Sequence, residues 1–508
     1  MGKGSRTRKD LRAIRQKTES ENKNIKQKSK IKKIVAVAVC CIIVVAIAVS
    51  TTVYSMFTYR ENSGYYLRNS VCFKSDNYEL NALQYAYYFN QVYSSFVNDN
   101  SDSLEEIGLD TTVPLKEQLT NYDKDATTWY DYFLKKTKET VTNLICYAEK
   151  ANAERIELNA EEKESIEASI ENIEYAAKED GLSVDEYLSQ KYCKGINLED
   201  IRVCLELTEI ADKYNKAFDE SLQYSDDDLE NQYKNNPNKY SVVDYISYSF
   251  LGDSKDLKSL KRKAEELAKC TSEAEFRDEL KAIYKENNGS EKSDKELEQL
   301  VNSCVSTEVK YNENAENKDL ISWAFDSDTK AFDTLLDESA DKDSYTVYML
   351  LKKPYRLEYK TKNVRHILLS TKTYNNDPAQ TLTAAQEMLE DIRKSDDVEK
   401  EFIRCAQKYS EDPGSASNGG LYENIVKGEM VTNFNDWCFY NERKIGDISV
   451  VSTDYGYHLM YFAGNGVKAW QVDAINDCKR NDFAKLVEDI TNQYNVTFDK
   501  ASAYKYDK

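Results

Sequence analysis

The spacing of apolar residues changes character several times along this chain. Residues 34–59, which open IVAVAVCCIIVVAIAV, hold no charged side chain across 26 positions. A helix needs only about 20 apolar residues to cross a bilayer. From 77 to 240 the apolar positions fall three and four apart, the stripe of amphipathic helices. Helices are predicted over 78–97, 128–150, 161–180, 183–192, 198–223 and 225–235. Thr127 and Thr128 are candidate N-caps, while Ser183 with Glu186 and Ser225 with Asp228 fit capping boxes, which satisfy two orphan backbone donors at once. Gly108 and Pro114 punctuate a loop between the first two helices.

After Tyr240 the pattern becomes that of strands. The segment SVVDYISYSFL at 241–251 is rich in β-branched and aromatic residues. Helical stretches follow at 255–269 and 272–287, then a polar run to about 317, LISWAFD at 320–326, FDTLL at 332–336 and a strand at 344–353. The same order then recurs. A strand at 364–370 precedes helices at 382–393 and 398–409, a loop with Gly414, Gly419 and Gly420, the segment NFNDWCF at 433–439, a turn at 444–447 and a strand at 455–463. The two copies lie about 120 residues apart, which marks an internal duplication; an unrelated α+β domain in the first position is the competing reading. A last amphipathic helix is predicted at 475–494.

Charge changes this picture at the N-terminus. Residues 1–33 carry 13 Lys/Arg and three acids, so a net −20 for the chain leaves −30 on the remainder. An acidic body repels phosphate backbones, and no nucleic-acid partner is expected. A basic flank before the apolar segment, and none after it, predicts a single-pass signal-anchor at 34–59 in the cell membrane, with 1–33 in the cytoplasm and the C-terminal bulk outside. Ala46-Ile47-Ala48 also fits a signal-peptide cleavage site, so retention of the anchor stays open. With 5 prolines and 16 glycines in 508 residues, collagen-like repeats and glycine-rich phosphate cradles are excluded. Eleven cysteines are present, two of them (Cys40, Cys41) in the apolar segment; the others are scattered without a C-x-x-C, which predicts neither a disulfide scaffold nor a zinc site.

The chain has only two histidines, His366 and His458, and both fall in predicted strands of the second copy. A histidine in a strand is more often structural than catalytic, but two in one module point to a joint role. Around them stand VRHILLS at 364–370, AQKYSEDPGSASNGGLYENIVKGEMVTNF at 406–434 and KIGDISVVSTDYGYHLMYF at 444–462. This ordered set resembles the parvulin family of peptidyl-prolyl cis/trans isomerases, over about 100 residues. The resemblance implies that His366 and His458 form the central pair of an active site, with Asp412 at the acid or thiol position beside the substrate imide. It places Met430 and Phe434 on the floor of a proline pocket and Tyr422 on its outer wall, and it implies substrate-binding roles for Thr453 and for Tyr455, which stands where the family often has a small polar residue. One stretch departs from the family pattern: G-G-D-L-G-x-F is G-G-L-Y-E-N-I at 419–425, which leaves the client preference open. The first strand lacks a following Lys/Arg cluster, so a phosphate-reading subtype is not expected. Isomerisation breaks no bond, so neither cofactor nor metal is expected.

In the first copy Tyr245 and Tyr348 fall at the histidine positions and the Gly-Gly loop is missing, which predicts a degenerate, non-catalytic module. The whole order resembles the PrsA/SurA type of foldase. It implies an α+β multidomain chain: a basic segment 1–33, an anchor 34–59, a helical chaperone-like domain 60–240, a degenerate parvulin-like domain 241–356, a parvulin domain 361–466, and a C-terminal helix 467–508 packed on the helical domain. The implied partners are unfolded or newly secreted polypeptides with X-Pro bonds, and the membrane through the N-terminal helix. A homodimer is allowed, though no heptad pattern demands one. Two functions stay open: an extracytoplasmic prolyl isomerase and chaperone, or a holdase that uses the fold without turnover.

Overall fold

The computed structural model describes residues 43–56 and 63–506 except 252–256, 289–291, 316, 340–343 and 441, together with Lys17 and Arg60. The expected basic segment therefore lies outside the described residues apart from Lys17, as do 34–42 and 57–59 of the expected anchor. Residues 43–56 are helical, with Ile43, Val44, Val45, Ile47, Val49 and Val53 exposed. Among the described residues no helix is long and apolar enough to cross a membrane.

The chain divides into two compact units, 1–221 with 484–508, and 222–483. In the first, β1 (Val71–Lys74) and β2 (Glu79–Asn81) precede the helices α1 (Ala82–Asp99), α2 (Trp129–Ala153), α3 (Ala160–Glu179), α4 (Val184–Lys191) and α5 (Leu198–Ser221). The helix expected from 78 starts later because Asn81 caps it. The Asn81 side chain accepts from the backbone N–H of Leu83 and Gln84, and Gln84 accepts from that of Asn81. Thr128 caps α2 and Ser183 boxes α4 with Glu186. The core is aromatic, with Tyr85, Phe89, Trp129, Tyr130 and Phe133 all fully buried. The end of the chain completes it: a strand at Thr497–Phe498 pairs with β1, and Tyr506, itself buried, accepts a 2.6 Å hydrogen bond from Asn90 Nδ2.

The second unit opens with α6 (Asp226–Asn235). There follow β3 (Val242–Leu251), α7 (Leu257–Leu267), α8 (Glu273–Asn288), α9 (Asp294–Asn302), β4 (Val305–Lys310), α10 (Lys318–Ala324), β5 (Thr334–Glu338) and β6 (Ser344–Tyr355). Next come β7 (Lys360–Leu369), α11 (Pro378–Arg393), α12 (Val398–Tyr409), β8 (Leu421–Ile425), α13 (Thr432–Phe439), β9 (Ile448–Thr453), β10 (Gly456–Lys468) and α14 (Ala469–Gln493), whose residues from Ala484 on belong to the first unit. Two antiparallel four-stranded sheets result, ordered β4-β3-β6-β5 and β8-β7-β10-β9. Both place the second strand of the copy beside the first, and the first beside the fourth. The polar run before 317 conceals α9 and β4. In α9 only Leu297 and Val301 are buried, and β4 is an edge strand with no buried residue, so neither leaves an apolar signature. Helix α6 and the first turns of α14 share a small core of Leu229, Tyr240, Trp470, Ala474 and Cys478.

Candidate active site

The site is built on β7 and β10, the two central strands of the second sheet. Met460 lies opposite His366, and Leu368 opposite His458. The histidines are therefore diagonal neighbours on one face, within reach of each other across the ladder. Their Nδ1 atoms are 3.0 Å apart and the rings lie 5.3 Å apart at 22°. Both are buried, at 3% and 5% exposure.

The loop after α12 brings the carboxylate. Ser410 Oγ accepts from the Leu368 N–H at 3.1 Å and the Glu411 N–H donates to the Leu368 carbonyl at 2.9 Å, which ties the loop to the end of β7. Asp412 Oδ2 then lies 3.1 Å from His366 Nε2 and accepts from the hydroxyls of Ser415 and, at 3.2 Å, Tyr422. Ser415 Oγ is also 3.0 Å from His366 Nε2. On the far side Thr453 Oγ1 is 2.8 Å from His458 Nε2, and Thr453 accepts the Tyr455 N–H at 3.2 Å.

These partners assign the protons. The only hydroxyl proton of Ser415 goes to Asp412, so both neighbours of His366 Nε2 are acceptors and that nitrogen carries the hydrogen. In the neutral ring His366 Nδ1 then accepts, His458 Nδ1–H donates to it, and His458 Nε2 accepts from Thr453. The environment agrees with two neutral rings. Burial lowers the pKa of His366, against the opposing pull of Asp412. Burial, and then the neighbouring His366, bring His458 down to about 4. Burial pushes Asp412 upward, but the hydrogen bonds from Ser415, His366 and Tyr422 outweigh it and hold the carboxyl below its ordinary range.

This arrangement sets a pH dependence. Between the folded and unfolded pKa values of a depressed histidine the unfolded chain binds more protons, so stability is present above 6.5 and is lost as pH falls toward the folded value. For His458, going from 6.5 to about 4, the loss is about 3 kcal/mol. Denaturant unfolding of the second unit between pH 7 and 4 is expected to show this fall. An unchanged midpoint would contradict buried neutral rings.

Beneath the imidazoles lies an apolar floor. The Phe434 ring stands 5.4 Å from His366 at 80° and 5.6 Å from His458 at 89°. Phe434 is buried with Val364, Ile425, Trp437, Cys438, Met460 and Phe462, and Met430 and Tyr422 pack half-buried against the same cluster. Tyr455 contributes its backbone N–H, while its side chain is 63% exposed at the rim. The structure thus gathers His366, His458, Asp412, Thr453, Tyr422, Met430 and Phe434, with Tyr455 at the edge. Ser415 is the residue that sequence reasoning missed. It is fully buried, but as a polar loop residue it leaves no hydropathy signal.

Gly420 holds the edge strand in place. The His366 N–H donates to its carbonyl at 2.8 Å; its φ is +74°, and a Cβ there would lie 2.2 Å from the His366 carbonyl oxygen. In the first sheet Tyr245 lies opposite Leu350 and Tyr348 opposite Ser247, the same diagonal as the histidines, with rings 5.6 Å apart at 78°. That sheet repeats the register without imidazoles.

Residues 348–464 match the family model of the PPIC-type PPIase domain. The foldase protein PrsA of Geobacillus sp. (strain WCH70) is 39% identical over 80 residues, 16% of this chain and 28% of the relative. The chaperone SurA of Alcanivorax borkumensis is 33% identical over 103 residues, 19% of this chain and 21% of the relative. The chain therefore spans less than a third of the length of these curated relatives. Among solved structures, the PrsA peptidylprolyl isomerase of Bacillus cereus aligns with 59% of this chain and 86% of its own at 18% identity, with a TM-score of 0.19.

Proposed function

We propose that this chain, a parvulin-type foldase similar to PrsA and SurA in its isomerase domain, accelerates cis/trans isomerisation of X-Pro bonds in newly secreted polypeptides outside the membrane. The observation that carries the reading is the pair of buried imidazoles, bonded to each other and to Asp412, above a floor of Phe434 and Met430.

Rotation about an X-Pro bond faces a barrier of about 18–20 kcal/mol from amide resonance and takes tens to hundreds of seconds unaided. No bond breaks, so no nucleophile is required. The protein must bind the twisted amide better than the planar one, and each tenfold gain needs about 1.4 kcal/mol of that difference. An apolar floor seats the proline ring and excludes water. Two neutral imidazoles beside a carboxylate supply a fixed field at the imide, one that does not reorganise as the bond turns.

Anchoring is part of the proposal. It is supported by the charge-free run at 34–59, the basic residues before it, and the apolar side chains that helix 43–56 exposes. The first sheet, with Tyr245 and Tyr348 in place of imidazoles, favours a holding role for that module beside the catalytic one.

Isomerisation of short X-Pro peptides by the full chain in detergent micelles, followed by NMR exchange spectroscopy, tests the proposal. Acceleration above the spontaneous rate is the expected result. A folded sample with no acceleration across several residues preceding proline would leave a holdase in its place.

A further inference from the structure

The Asp412 carboxylate is held unevenly. Its Oδ2 takes all three donors, His366 Nε2–H, the Ser415 hydroxyl and the Tyr422 hydroxyl. Among the described residues no donor reaches Oδ1. Two of the three donors come from the loop and from β7 themselves. The third, Tyr422, arrives from β8, whose place depends on Gly420 and whose sequence is where this chain departs from the parvulin pattern.

The phenol is fitted to this contact. Its ring lies 5.3 Å from the His366 ring at 37°. A Cβ at Gly414 would come 2.7 Å from Tyr422 Oη and 3.7 Å from Asp412 Oδ2, so the absence of a side chain at 414 makes the room that the hydroxyl occupies. Burial, followed by the charge of Asp412, raises the Tyr422 pKa, so the hydroxyl keeps its proton and acts as a donor.

We propose that Tyr422 is a positioning residue of the isomerase site: its hydroxyl pins Asp412 through Oδ2 on His366 and leaves Oδ1 as the acceptor that meets the client. The inference rests on the isomerase reading for its catalytic part and on geometry for the pinning. A carboxylate fixed by one oxygen cannot turn to offer both lone-pair sets to a client, so its direction is set before the client binds. Preorganisation of this kind lowers the barrier without tightening ground-state binding.

Because the chain contains only two histidines, ¹³C-histidine labelling of the full chain in micelles gives two imidazole signals, and the titration of each reads the network directly. Tyr422→Phe keeps the ring and removes only the hydroxyl. With one donor fewer, Asp412 becomes a stronger acceptor toward His366, and the His366 midpoint is expected to rise by about half a pH unit or more while His458 moves less. In the exchange assay kcat is expected to fall about fivefold to tenfold with KM nearly unchanged. Gly414→Ala, which crowds the hydroxyl off its site without changing tyrosine chemistry, is expected to move both readouts in the same direction.

An active wild type with Tyr422→Phe at wild-type kcat and an unmoved His366 midpoint would overturn the inference and make the phenol mere packing. An inactive wild type removes the isomerase reading instead. In that case the His366 midpoint still decides the pinning, since it requires no turnover.

Discussion

Phe434→Ala is expected to lower kcat/KM for X-Pro isomerisation about a hundredfold. The ring stands edge-on beneath both imidazoles and closes the floor of the pocket. Apolar contact with a ring of this size is worth about 1.5–3 kcal/mol, and about 2.7 kcal/mol corresponds to a hundredfold. The same substitution empties space among Val364, Met460 and Phe462 and is expected to cost about 3–5 kcal/mol of stability. Catalysis and folding therefore have to be separated. Phe434→Leu retains most of the volume, and its rate is expected to fall while its urea midpoint stays close to wild type. Exchange spectroscopy on samples shown to be folded by near-ultraviolet dichroism makes the measurement. A folded Phe434→Ala protein with full turnover would remove the floor from the mechanism.

Gly420→Val is expected to cost more than about 3 kcal/mol of stability, from two independent causes. A β-branched residue resists a φ of +74°, and its Cβ would meet the His366 carbonyl at 2.2 Å, a backbone atom that cannot swing aside. Strand β8 must then leave β7, taking Tyr422 from Asp412. Hydrogen exchange is expected to show early loss of protection at the His366 N–H, which donates to Gly420, before global unfolding. Wild-type protection there would mean that the edge strand tolerates a side chain.

Helices in both units were legible because their signals are local. Ser183 with Glu186 and Ser225 with Asp228 close capping boxes as expected, and the run at 398–409 is helical over that whole range as α12. The start of α1 was misplaced, since the Asn81 cap sits among residues whose periodicity already looks helical. Strands β4, β8 and β9 escaped notice because they are edge strands: they bury at most one residue each, and alternation needs a buried face to register.

At the site, His366, His458, Asp412, Met430 and Phe434 could be named from the sequence through its resemblance to the parvulin family. What they do to one another could not. His366 and His458 are separated by 92 positions and His366 and Asp412 by 46, and no local pattern sets whether such pairs meet. That was decided by the register of β10 on β7, which makes the histidines diagonal rather than opposite, and by the Ser410 and Glu411 contacts that dock the loop on Leu368. Ser415 and the Tyr422 hydroxyl joined the network only there. Hydropathy along a chain reports how much each residue gains from burial taken singly. The donor and acceptor roles, the tautomers and the depressed pKa values belong to pairs and triples of groups, and they exist only once the sheet has brought those groups within about 3 Å.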